Sequence, residues 1–253
     1  MQTRSILITG AGSGVGAAMA AQLAAAGHSI HVTDLDGRAA ARVADGIVAA
    51  GGIASAAALD VTRADDVARV IDAAGRVDVL VNNAGLQHVS PLADFPPEKW
   101  QLLVNVMLVG PALTTRAVLP GMRARGFGRI VNVGSIHSLV ASAYKSAYVA
   151  AKHGLIGLAK TVALETGDVD VTINTICPAY LRTPLVEKQI ADQARTHGIP
   201  EQQVVEQIML KPMPKKAFVA VEEVTALVQY LISDAARNVT AQAIAIDGGW
   251  TAT

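Results

Sequence analysis

Short apolar runs alternate with longer stretches of helical spacing along the whole chain. Ser5 to Thr9 (SILIT) is β-branched and apolar, and leads into the glycine-rich stretch Gly10 to Gly16 (GAGSGVG) and an alanine-rich helix to Gly27. Ser29 to Thr33 reads as a second strand ending at Asp34, and Ile53 to Leu59 as a third, ending at Asp60-Val61. A helix over Ala64 to Ala74 precedes a buried strand, Val77 to Val81, which runs into Asn82-Asn83-Ala84-Gly85. Then come a helix from about Glu98 to Gly121, a strand at Ile130 to Val133, a helix carrying Tyr148, and strands at Val171 to Ile176 and Ala243 to Ile246. Strands separated by helices predict a parallel, doubly wound α/β sheet of the Rossmann type, with helices on both faces. No linker or repeat divides residues 1–253, so one domain is expected.

One stretch breaks the rhythm. Residues 184–216 are too long for an ordinary connection, and within them Leu185 to Ala194 and Glu201 to Leu210 have helical spacing. Insertions after strand carboxyl ends lie beside the ligand crevice of an open α/β sheet, so a helical substrate lid is expected here. A surface excursion or an oligomer contact is the other reading.

Composition narrows the function. Hydrophobic residues make up 51% of the chain and the formal net charge is zero, which argues against disorder and gives no electrostatic case for nucleic acid or an anionic membrane. No uninterrupted apolar run has the length of a transmembrane helix, and the N-terminus enters a strand at once, leaving no room for a signal peptide. The single cysteine, Cys177, cannot form an internal disulfide, and no Cys/His spacing suggests zinc. A soluble, cytoplasmic, metal-free protein is the expectation.

The first strand, glycine turn, helix and second strand ending in an acid form a dinucleotide-binding unit. Glycines permit a tight turn and close backbone approach to a pyrophosphate, which meets the positive end of the helix. Asp34 can accept hydrogen bonds from both adenosine ribose hydroxyls and would repel a 2′-phosphate, while Ser13 and Leu35 supply no cation to counter it; NAD is favoured over NADP. Further on, Ser135 falls at a strand's carboxyl end, and Tyr148 and Lys152 are four apart on one helix face. A hydroxyl, a phenol and an ammonium that converge can move a proton to or from a carbonyl oxygen. A free phenol titrates near about pH 10, and a neighbouring cation favours its ionised form.

Taken together, Thr9-Gly10-x-x-x-Gly14-x-Gly16, the Asn-Asn-Ala-Gly turn, Asn105, Ser135, Tyr148-x-x-x-Lys152 and Pro178 resemble the short-chain dehydrogenase/reductase family over essentially the whole chain. Residues 82–100, 137–154, 183–190 and 247–250 are similar to its bacterial-type D-3-hydroxybutyrate dehydrogenase subfamily. The resemblance implies an NAD-dependent interconversion of (R)-3-hydroxybutyrate and acetoacetate. Tyr148 would be the general acid/base, Lys152 would lower its pKa and hold the nicotinamide ribose, Ser135 would bind the reacting oxygen, and Asn105 would hold a relay water. Implied cofactor contacts are Gly10, Gly12, Ser13, Gly14, Val15, Gly16, Asp34, Asp60, Val61, Asn83, Ala84, Gly85, Tyr148, Lys152, Pro178 and Thr183. For the small hydroxy or keto acid they are Gln87, Ser135, His137, Lys145, Tyr148 and Gln189, with Trp250 supporting.

Ile136, Ala179, Tyr180 and Lys211-Pro212-Met213-Pro214 depart from that likeness, which bears on the length or branching of the acid and on how the lid closes. Another small hydroxy acid, keto acid or neutral alcohol stays open as substrate, as does a non-catalytic NAD sensor. The family also implies a homotetramer: the helices near Leu102 to Met122 and Ser146 to Glu165 carry more small and apolar residues than one sheet-facing stripe needs.

Overall fold

A computed structural model describes residues 2–182, 186–187, 190–191, 194–195 and 198–252. Its centre is a parallel seven-stranded sheet in the order β3-β2-β1-β4-β5-β6-β7. The strands are β1 (Ser5–Ile8), β2 (Ser29–Asp34), β3 (Ile53–Ala58), β4 (Val79–Asn82), β5 (Phe127–Val133), β6 (Asp170–Pro178) and β7 (Ala243–Ile246). The helices are α1 (Gly14–Ala25), α2 (Gly37–Ala49), α3 (Ala64–Ala74), α4 (Pro97–Val104), α5 (Gly110–Arg125), α6 (Ser146–Glu165), α7 (Glu201–Val204) and α8 (Val221–Leu231). The chain winds outward from β1 to β3, then returns to place β4 on β1's other side. That reversal opens a crevice at the carboxyl ends of β1 and β4.

The two faces explain why the central strands read as continuous apolar runs. Along β1, Ile6 and Ile8 join a core with Met19, Leu23, Ile47, Val224 and Val228. Leu7, between them, joins the opposite core with Leu80, Val118, Met122 and Ile130. Successive strand side chains point to opposite faces, so a strand covered on both sides reads as a near-continuous apolar run.

Several ends are fixed by local chemistry. Asp36 caps α2 by accepting hydrogen bonds from the backbone of Arg38 and Ala39. Helix α5 stops at Gly126, which takes the left-handed conformation at φ 67°. The helix expected from Glu98 to Gly121 is α4 and α5 joined through a single π-helical turn, Asn105–Val109. By length and composition this Pro97–Arg125 helix could cross a membrane. In the fold it contributes Val118 and Met122 to the core, and its Thr114 hydroxyl donates 2.7 Å to the buried Asn82 side chain.

In the expected lid, Glu201 to Leu210 is realised as α7 followed by a π turn, Val205–Met209. Val204 and Met209 pack with Val186 and Ile190 in a small cluster that Tyr180 and Phe218 border. Of the first lid helix expected at Leu185 to Ala194, the described residues Val186, Glu187, Ile190, Ala191 and Ala194 are helical, and the rest lie outside the described residues, as Thr183 and Gln189 do.

Candidate active site

The crevice begins with the glycine turn. Gly10 has φ +64°, and a Cβ there would lie 2.6 Å from the Ala84 backbone; at Gly16 it would lie 2.4 Å from the Asn83 amide and 2.6 Å from the Gly10 carbonyl. Only glycine lets these two loops close on each other. Asn83 fastens them, donating 3.0 Å to the Thr9 carbonyl and 2.9 Å to that of Gly10, while the Thr9 hydroxyl accepts from the backbone of Asn83 and Ala84. Ser13 precedes α1 in extended conformation and makes no side-chain cap, so the first N–H groups of α1 remain available to an anion.

Asp34 ends β2 beside this turn. One of its oxygens accepts 2.9 Å from the Gly12 N–H and the other 3.0 Å from the Asp36 N–H. Gly10, Ser13, Gly14, Val15, Gly16, Asp34, Asp60, Val61, Asn83, Ala84 and Gly85 line one hollow of about 650 Å³. Gly12 does not line it and acts through its bond to Asp34. The close-packed glycine cradle, the free helix N-terminus and the aimed carboxylate fit a dinucleotide. Among the described residues, no group of three or more His, Cys, Asp or Glu side chains is placed to hold a metal ion.

A second hollow of about 240 Å³ shares Val15, Asn83, Gly85 and Leu86 with the first, and adds Gln87, Ser135, His137, Lys145, Tyr148, Lys152 and Pro178. Ser135 is aimed by a reciprocal cap: its hydroxyl accepts from the His137 N–H at 3.2 Å, and its own N–H donates to Ser138 Oγ at 3.2 Å. Gly134 makes room, since a Cβ there would meet both Ser138 Oγ and the Ile176 carbonyl at 2.8 Å. Helix α6 then presents Tyr148 and Lys152 one turn apart, with Lys152 Nζ 5.6 Å from the Tyr148 ring centre. Lys152 is buried and donates 2.6 Å to the Val133 carbonyl, at the end of β5.

Burial acts on these groups in opposite directions. It pushes the Tyr148 phenol above its ordinary pKa, with a hydrogen bond from Ser135 working the other way. It pulls the Lys152 ammonium down to about 8. The depression of the phenol expected from Lys152 therefore does not outweigh desolvation in the protein alone. Lys145 is likewise lowered by burial, and its Nζ stands 5.9 Å from the Tyr180 ring centre. Among the described residues no carboxylate is within ion-pair distance of it.

His137 is buried, and desolvation, with the charge of Lys145 next, takes it down to about 4, so the ring is neutral near pH 7. It meets Tyr148 and Trp250 edge-on at 6.1 and 6.0 Å, and Trp250 stacks on Tyr180 at 5.9 Å. Trp250 thus touches the site through His137 and Tyr180 without lining the hollow. Asn105 opens the π turn, takes a 2.8 Å bond from Gln101, and lines neither hollow.

Sequence reasoning left out Leu86, Met107 and Val186, which line the smaller hollow, and treated Tyr180 only as a departure. It also left out Ser142, whose hydroxyl is 3.2 Å from His137 Nε2. Nothing in the spacing marks Ser142; Tyr180 could have been found from its place just past β6, at the sheet's carboxyl edge.

The comparisons agree with this geometry. The family model for short chain dehydrogenases matches residues 4–194. A D-beta-hydroxybutyrate dehydrogenase of Rhizobium meliloti is 48% identical, covering 99% of each chain. One of the same name from Cupriavidus necator is 42% identical over 98% of each, and an uncharacterized oxidoreductase, YxjF, of Bacillus subtilis is 40% identical over the full length of both. With a glycine cradle, a Ser-Tyr-Lys set and relatives matched from end to end, this chain belongs to the short-chain dehydrogenase/reductase family, whose members are oxidoreductases that use a nicotinamide cofactor.

Proposed function

We propose that the chain is an NAD-dependent dehydrogenase that interconverts (R)-3-hydroxybutyrate and acetoacetate. One observation carries the proposal: Ser135, Tyr148 and Lys152 open onto the same small hollow as Gln87, His137 and Lys145. The first three suit a carbinol, the second three a carboxylate. Lys145 is a desolvated cation without a carboxylate partner among the described residues, a state that an incoming acid relieves. The names of the relatives from Rhizobium meliloti and Cupriavidus necator support the same substrate.

In this reading a nicotinamide, when bound, would supply the acceptor for the hydride that leaves the carbinol carbon. Tyr148, once ionised against the upward push of its burial, accepts the hydroxyl proton, and Ser135 donates a hydrogen bond to that oxygen as it becomes a carbonyl. In the reverse direction Tyr148 returns the proton. Lys152 spends one N–H on Val133, which fixes the ammonium beside the phenol and leaves its other donors for the cofactor ribose. Asn105, at the start of the π turn, is assigned a relay water in this proposal on the family resemblance, since its carbonyl already accepts from the Gly110 N–H and it lines neither hollow. Asp34 favours NAD, because a 2′-phosphate beside this carboxylate would be repelled. Thr183 and Gln189 complete the cofactor and substrate contacts in this proposal.

The test is formation of reduced nicotinamide, followed by its near-ultraviolet absorbance, with separate (R)- and (S)-3-hydroxy acids and neutral alcohols. Turnover of (R)-3-hydroxybutyrate but not its mirror image is expected, with Tyr148→Phe lowering kcat by roughly a hundredfold or more. Turnover of neutral alcohols alone would remove the carboxylate clamp. Tight NAD binding without any turnover would make the chain a sensor.

We also propose a homotetramer built on α5 and α6. Their outer sides border a shallow hollow lined by Ala112, Leu119, Pro120 and Leu158, with Arg116 and Glu165 at hand, and nearby Leu164 is 87% exposed. Light scattering at micromolar concentration should return four times the chain mass of 26.1 kDa; the mass of a monomer would refute this assembly.

A further inference from the structure

Tyr144 holds its backbone at φ +68°. For a bulky residue this left-handed conformation is an outlier, and it persists only where the surroundings over-determine it. The ring offers no compensation, since Tyr144 is 60% exposed. Its neighbours show what the turn accomplishes. The Tyr144 carbonyl accepts a 2.9 Å hydrogen bond from the Ser90 N–H, fastening this loop to the segment that carries Gln87. The next residue, Lys145, turns inward to line the small hollow, at φ −121°, and α6 begins immediately after it without a side-chain cap. A single left-handed residue thus lets the chain satisfy Ser90, turn the half-buried Lys145 into the hollow and start the helix that bears Tyr148.

We propose that Tyr144 is a positioning residue for the acid: its left-handed turn aims the Lys145 ammonium at the substrate carboxylate and sets its spacing from Gln87. The inference rests on the reading of Lys145 as the carboxylate anchor. It assigns the effect to the backbone at Tyr144 and none to the phenol, and substitution can separate the two. Asparagine enters the left-handed region readily, whereas a β-branched residue resists it.

The experiment is steady-state kinetics on the full-length enzyme for Tyr144→Asn, Tyr144→Val and Lys145→Ala, with KM measured separately for (R)-3-hydroxybutyrate and for NAD. For Tyr144→Val we expect KM for the acid to rise about tenfold, with kcat and KM for NAD within about threefold of the parent. Tyr144→Asn should stay within about threefold on all three. A purely structural strain would change thermal stability and leave the KM split untouched. Should Tyr144→Val fail to fold, Tyr144→Ala, which lacks the ring and still disfavours positive φ, should give a smaller rise of about threefold to fivefold in KM for the acid alone. No rise in the variant that folds overturns the proposal, as does an equal rise in Tyr144→Asn, which would assign the effect to the ring. If Lys145→Ala leaves KM for the acid unchanged, the anchor reading has failed and takes this inference with it. If Lys145→Ala raises KM and the β-branched or alanine variant does not, only the role of Tyr144 is lost.

Discussion

Lys145 and Tyr148 stand three positions apart on the same wall of the hollow, and the same desolvation moves them in opposite senses. The charged form is disfavoured in both, so the ammonium's pKa falls and the phenol's rises. For Lys145 this has a kinetic consequence. Its ammonium is present at low pH and is lost as pH climbs through a pKa below the ordinary 10.5. If it anchors the carboxylate, KM for (R)-3-hydroxybutyrate should rise on the alkaline side earlier than a free lysine would dictate, while KM for NAD does not follow. Lys145→Arg separates this from every other titration, because a guanidinium keeps its proton throughout the accessible range. Its KM for the acid, whatever its absolute value, should stay flat over the pH range where the parent's rises. A parallel rise in both enzymes would transfer the effect to another group, with Lys152, pulled down to about 8, the first candidate.

How much of this was legible in the chain depended on whether an element announces itself by residue type. Strands buried on both faces read as near-continuous apolar runs, so β1 and β4 could be read within a few residues of their observed bounds, and Val171, Ile173 and Ile176 marked β6 despite its buried Thr172, Asn174 and Thr175. The Ser-Tyr-Lys set was equally legible, since a strand end and a four-residue helical spacing determine which side chains can meet. Helix α2 was passed over: its buried face is largely Ala39, Ala40 and Ala44, too small to stand out as an apolar stripe. The π turn at Asn105–Val109 was also invisible, because one extra residue in a helical turn changes the backbone pairing without interrupting the run of helix-forming side chains. The left-handed turn at Tyr144 was harder still. Glycine or asparagine there would have signalled it, but tyrosine carries no such preference, and the conformation follows from the pairing with Ser90 across 54 residues of chain. Residue type revealed the chemistry; contacts distant in sequence reveal how it is aimed.

Neutral, buried histidines at opposite ends of the sheet make the stability of the protein depend on pH in a definite direction. At the strands' amino ends His28 accepts a 3.2 Å hydrogen bond from the Arg4 N–H, and burial, with the Arg4 charge next, lowers its pKa. At the carboxyl ends His137 is taken down to about 4 by the burial that shapes the hollow, and within β2 His31 is lowered by burial as well. In the unfolded chain these rings regain the ordinary value of 6.5. Between pH 6.5 and about 4 the unfolded state therefore binds more protons than the folded state, so stability rises with pH across this window and is lost as pH falls through it. His137 alone corresponds to a loss on the order of 3 kcal/mol by the bottom of the window. Asp247 does not mask this. Burial works to raise Asp247, but the hydrogen bonds from Thr251 and Gly249 outweigh it and hold its pKa below 3.8, so that contribution disappears only at lower pH. Urea unfolding at a series of pH values should show the midpoint falling steadily below pH 6.5, and His137→Gln, which cannot titrate, should flatten the slope between 6.5 and 4. A midpoint unchanged across that interval would mean that His137 charges freely inside the fold, and the neutral ring invoked beside the substrate carboxylate would have to be replaced by an imidazolium.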